Sequence, residues 1–127
     1  MASDIAHEHL FDAEMALALA AGDRRIRWEV VQGVLGMFSE AGEMSSLFDV
    51  TTYGDDTSNA QELSHRAVGL AKQAALPALE ALCKKLELAL QANNISAAVA
   101  LGRQLMPLVT RTRSAVATAG IEMIPPG

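Results

Sequence analysis

The sequence predicts an all-α domain: an antiparallel up-and-down four-helix bundle with a short capping helix at its N-terminal end. Three observations lead there. Hydrophobic residues make up 50% of the 127 positions but aromatic ones only 4%, so the core is built of Leu, Val, Ala and Met, a mixture that suits helices better than sheets. Apolar positions recur at helical spacing in successive runs. Between the runs stand stop-and-start signals at Gly22-Asp23, from Thr51 to Asn59, at Leu76-Pro77 and at Asn93-Asn94.

Length and charge set the outer limits. A chain of 127 residues is one domain's worth, here read as residues 11–119 with tails at 1–10 and 120–127. The net charge of −5 disfavours nucleic acid as a partner, because a phosphate backbone demands a basic face. Cys83 is the only cysteine, which excludes an intrachain disulfide and fits a reducing compartment. No apolar run approaches the roughly 20 residues of a membrane span, and the N-terminus lacks the basic start and apolar block of a signal peptide. A cytoplasmic protein is the expectation.

The elements follow in order. His7 and His9 lie in a polar opening, off one helix face and without companion ligands, so no metal site is expected. Asp12 can cap a first helix to about Ala21, with Phe11, Met15, Ala18 and Leu19 at helical spacing. Gly22 supplies a left-handed stop and Asp23 the next cap. The second helix carries Ile26, Val30, Val34, Met37, Ala41, Met44 and Phe48 as its inner stripe, while Gly33, Gly36 and Gly42 predict a kink or break around Ser39 to Gly42. Trp28 falls off that stripe and reads as packed under the first helix, with a partner contact as the alternative.

Ser58 with Gln61 three residues on forms a capping-box pattern opening the third helix. Pro77 opens the fourth, which runs to about Ala92 on Leu79, Leu82, Leu86 and Leu90, with Cys83 beside them as a small buried hydrophobe. Asn93, Asn94 and Ser96 make the next turn and cap. The last helix faces inward through Ala98, Leu101, Leu105, Leu108, Thr112 and Val116, and Pro107 predicts a bend or division in it. Arg103, Arg111 and Arg113 read as solvated.

The third helix holds the most informative residue. A helix turns about 100° per residue, so Leu63, Ala67, Leu70, Ala71 and Ala74 share one stripe and His65 points nearly opposite it, into water. Gly69 lies one turn further on that outward face, although Gly costs a helix roughly 1 kcal/mol against Ala. Lys72 follows on the same side. Histidine, bare backbone and positive charge in a row suit a phosphoryl group carried in by a bulky partner. On pattern alone the bland alternative, a solvated histidine with a packing glycine, stands first. Ser64 is no dyad partner for His65, because adjacent helical residues point apart.

The stretch His65-Arg66-Ala67-Val68-Gly69-Leu70-Ala71 resembles the H-x-L-K-G-x-A/S signature of histidine phosphotransfer (HPt) domains, the four-helix phosphocarriers of two-component relays. The likeness extends to Phe11-Asp12-Ala13-Glu14-Met15-Ala16-Leu17 and Gly22-Asp23 upstream, and to Leu79, Leu82, Leu86, Glu87 and Leu90 downstream, so that it covers nearly the whole chain. Two positions depart from the family: Val68 stands where lysine is usual, and Ala75 where glycine is usual.

The resemblance implies that His65 is the phosphoacceptor, that Gly69 gives a partner steric access and that Glu87 orients the imidazole ring. Without the resemblance, Glu87 reads as a boundary glutamate paired to lysine. Arg66, Lys72 and Lys84 would offer positive charge to phosphate or to the partner, Lys72 taking part of the role that Val68 vacates. The partner would be the receiver domain of a response regulator, itself holding the Mg²⁺, so this chain needs no cofactor and is a monomeric carrier rather than an enzyme. Two rivals are an HPt-shaped interaction module that binds its partner without phosphotransfer, and a small helical hydrolase using His65 and Glu87. The second is the weaker, since no carboxylate pair, metal set or Gly-rich loop accompanies those residues.

Overall fold

Asp12 and Asp23 open the first two helices. The computed structural model describes residues 9–120. In it the Asp12 carboxylate accepts the Met15 N–H at 3.0 Å and starts α1 (Ala13–Leu19). Ala21 (φ 56°) and Gly22 (φ 81°) then reverse the chain, and Asp23 accepts from the Arg25 and Ile26 amides to open α2 (Arg24–Met37). Of the expected N-terminal tail only His9 and Leu10 are described, and Leu10 is buried in the core beside Phe11. His7 and nearly all of the C-terminal tail lie outside the described residues.

The second helix departs from the expected pattern. Its buried face is Val31, Val34 and Leu35, continued by Phe38, whereas Ile26 and Val30 are exposed. Both stripes obey helical spacing and share Val34; burial selects the one that carries the bulkier Leu35 and Phe38. The helix ends at Met37, at the break expected around Ser39 to Gly42, and the stretch to Phe48 does not resume it. There the chain folds back, the Met44 N–H reaching the Met37 carbonyl at 2.9 Å, and a Cβ on Gly42 would overlap the Gly36 and Met37 carbonyl oxygens. Met44 and Leu47 therefore reach the core from a non-helical return that includes short 3-10 turns at Ser45–Phe48 and Val50–Thr52, and Ala41 is exposed. Trp28 is half-buried against the core.

The third helix, α3 (Thr57–Gln73), is capped by Asp56, whose carboxylate accepts the Asn59 N–H at 3.1 Å. Asp56 displaces the expected Ser58 cap because it, and not Ser58, holds the non-helical backbone a cap requires. Small residues line the inner face (Ala60, Ser64, Ala67, Ala71), so the following helix approaches closely. That helix is α4 (Pro77–Gln91), and α3 with α4 forms the most extensive helix pair. Between them Ala75 adopts left-handed φ 56°, the Leu76 N–H closes on the Ala71 carbonyl at 2.9 Å, and the Ala75 carbonyl accepts the Asp12 N–H at 2.9 Å. Ala75 thus holds a backbone conformation that favours glycine.

Asn93 (φ 56°) turns the chain and Asn94, with Ser96 already inside the helix, caps α5 (Ile95–Gly102) through the Ala97 N–H. The expected division falls at Arg103 and Gln104, and α6 (Leu105–Thr118) takes Pro107 in its first turn, where no intrahelical N–H is owed. Gly102 is fixed by close approach: a Cβ there would collide with the Tyr53 ring and hydroxyl. Arg113, expected to be solvated, donates to the Leu35 carbonyl at 2.6 Å and so satisfies an acceptor in the last turn of α2. The chain is all-helical, with no strand among the described residues and no described helix long and apolar enough to cross a membrane.

Candidate functional site

α3 and α4 bring His65 and Glu87 together. His65 stands on the outer face of α3 with its side chain 73% exposed, and its Nδ1 lies 2.7 Å from Oε2 of Glu87. Glu87 sits at the edge of the leucine stripe of α4 and is only 3% exposed. A carboxylate in such a place costs several kcal/mol unless its charge and lone pairs find partners. Both of its oxygens have them. Lys84 Nζ approaches Oε1 at 3.4 Å and Gln91 Nε2 approaches Oε2 at 3.4 Å, from one turn before and one turn after on the same helix.

This arrangement defines the imidazole chemically. An ionised carboxylate can only accept, so Nδ1 is the donor and carries the proton. Nε2 has no hydrogen-bond partner among the described residues. Beside the ring runs an open groove lined by Ser58, Gln61, Glu62, His65, Glu87 and Gln91. The ring therefore stands exposed at the edge of an open groove rather than inside a closed pocket.

The remaining predicted residues fall around it unevenly. Gly69 is exposed one turn along α3, and a Cβ there would meet nothing within 4 Å, so nothing among the described residues requires the glycine. Lys72 is exposed beyond it. Arg66 is ion-paired with Glu43 of the fold-back segment, although both side chains are about half exposed. Lys84 touches Glu87 rather than standing apart from it. Val68 is half-buried and packs against the core.

Ser64 is buried and its hydroxyl donates to the Gln61 carbonyl at 2.9 Å, which leaves it no part in a dyad. Cys83 is fully buried, and burial pushes its thiol from 9.0 up to about 12, so it is a packing residue. Among the described residues no group of three or more His, Cys, Asp or Glu side chains could hold a metal ion. Sequence reasoning missed Gln91 and the groove residues Ser58, Gln61 and Glu62. Gln91 had a legible signal, since it falls four residues after Glu87 on the same face.

A second surface feature lies further along. Met15 and Leu19 on α1 and Ile26 and Val30 on α2 are exposed, and Leu19 and Val30 line a shallow depression together with Gln73, two turns beyond His65 on α3. No family model, curated protein or solved structure matches this chain.

Proposed function

We propose that this chain is a phosphocarrier, taking a phosphoryl group from one protein and handing it to another. Within that class it is a histidine phosphotransfer protein of a two-component relay: an up-and-down bundle of α2, α3, α4 and the α5–α6 pair, with α1 capping one end. The observation that carries the reading is the exposed His65 whose Nδ1 is held by the buried Glu87, leaving Nε2 to solvent.

In the transfer step the Nε2 lone pair attacks the phosphorus of a receiver domain's aspartyl phosphate in line. The N–P bond forms as the bond from phosphorus to the aspartyl oxygen breaks, and the receiver carboxylate leaves with the electron pair. The ring becomes a phosphoimidazolium, its positive charge facing Glu87, and no proton has to move. Mg²⁺ and the acyl phosphate belong to the receiver. Gly69 admits the receiver backbone, Lys72 and Arg66 offer charge at its rim, and the exposed apolar side chains of α1 and α2 extend the docking surface. The compartment this implies is the cytoplasm.

Half-burial of Val68, in the place of the family's lysine, favours a second reading in which the same surface binds a partner without transfer. Mixing the protein with receiver domains charged with labelled phosphate separates the two. Acid-labile, alkali-stable label on the wild type and none on His65→Gln is the expected result. Complexes that form with a broad receiver set but never pass label would establish the interaction module instead.

A further inference from the structure

We infer that Lys84 is a positioning residue, the counter-charge on Glu87 that keeps His65 neutral and nucleophilic. The inference deepens the phosphocarrier reading and rests on it for its consequence in transfer. Glu87 is 3% exposed, and its hydrogen-bond partners among the described residues are His65, Lys84 and Gln91. Gln91 is neutral. The negative charge is therefore compensated by Lys84, by a protonated His65, or by both.

The two alternatives have opposite chemical results. An imidazolium carries protons on both nitrogens and has no lone pair at Nε2, so a His65 that served as the sole counter-ion would be a poor phosphoryl acceptor. Lys84 occupies Oε1, the oxygen His65 does not use, and supplies the charge from the far side of the carboxylate. It shares the Glu87 face of α4 at a spacing of three residues. Gln91 shares Oε2 with the ring and adds a hydrogen bond without adding charge. Among the described residues, Glu62 lines the groove beside the ring on α3, and Arg66 is engaged by Glu43. Because the Lys84 side chain is about half exposed, solvent weakens its effect, and the expected change is modest rather than all-or-none.

The test compares the intact wild-type chain with Lys84→Met and Lys84→Arg. Ring ¹⁵N and ¹³C resonances of His65 report its charge state, and transfer from a phosphorylated receiver is followed across pH. Lys84→Met should raise the ratio of imidazolium to neutral His65 at pH 7 roughly threefold, the size expected of a half-exposed ion pair, and move the transfer profile toward alkaline pH. Lys84→Arg should restore both. An unchanged His65 charge state in Lys84→Met, or an arginine variant that behaves like methionine, would overturn the inference. The charge state is read without any phosphoryl donor. A receiver set that never passes phosphate would therefore count against the phosphocarrier reading, while the resonances alone judge Lys84.

Discussion

The interior of the α3–α4–α5 assembly and its outer face contain similar oddities and explain them differently. In the interior, around Tyr53, Cys83 and Gly102, each departure from a plain helical core has a cause among the described residues. Gly102 is glycine because the Tyr53 ring lies against its backbone, the Tyr53 hydroxyl donates to the Leu47 carbonyl, and Cys83 is a small apolar filler. On the outer face, around His65, Glu87 and Gly69, the described residues give no such cause. A carboxylate is buried where a leucine would fit the stripe, an imidazole is bound to it from the water side, and Gly69 has open space where a side chain would go. Burial with all partners inside makes a group inert; burial with an exposed partner makes a lever on that partner.

The sharpest way to break this contrast is Glu87→Leu. If the carboxylate is there for His65, its loss should cut phosphoryl acceptance roughly tenfold to a hundredfold, the usual range for removing a group that orients a functional ring. Chemical denaturation should meanwhile show stability unchanged or raised by about 1 kcal/mol, because a buried ion costs more than leucine in the same space. A Leu variant that loses several kcal/mol and keeps full acceptance would make Glu87 a structural residue like those of the interior.

The two glycines give the next contrast. Gly102→Ala should cost about 2 kcal/mol through overpacking on Tyr53, with acceptance unchanged per folded molecule. Gly69→Ala should instead stabilise the chain by roughly 1 kcal/mol and slow transfer from the receiver. Equal signs in urea melts of the two variants would dissolve the distinction.

A further contrast concerns pH. Burial holds the Cys83 thiol up at about 12 against 9.0, and Tyr53 is raised from 10.0 to about 12, by burial first and then by Cys83 and Asp49. Both groups are neutral in the folded state at neutral pH and ionise more easily when unfolded. Their contribution to stability is therefore complete below about pH 9 and is lost as pH rises toward 12. Melting temperatures measured from pH 8 to 11 should fall, less steeply in Cys83→Ala, and native Cys83 should resist alkylation throughout the lower part of that range.

Much of this organisation was legible in the sequence where the determinant is local. Asp12, Asp23 and Asn94 cap helices because short acceptor side chains reach amides two or three residues on, and Pro77 starts α4 because its missing N–H is not needed there. The His65 face followed from helical angle alone. What sequence reasoning could not see depends on distant chain. The glycines foretold a break near Ser39 to Gly42 but not the fold-back that brings Met44 to Met37, and the choice between the Ile26–Val30 stripe and the Val31–Leu35 stripe is made by the helices that cover it. Arg113 reaching Leu35 and Arg66 reaching Glu43 join residues that no local pattern links. The Asp56 cap was a nearer miss, two competing acceptors lying two residues apart.

The central claim is that Glu87 holds Nδ1 so that Nε2 is the nucleophile. Charging uniformly ¹⁵N-labelled protein from a phosphorylated receiver and recording phosphorus–nitrogen coupling at His65 tests it most directly. Phosphorus coupled to Nε2, with the Nδ1 proton still present, is the result this account predicts; phosphorus on Nδ1, or on another residue altogether, would contradict it.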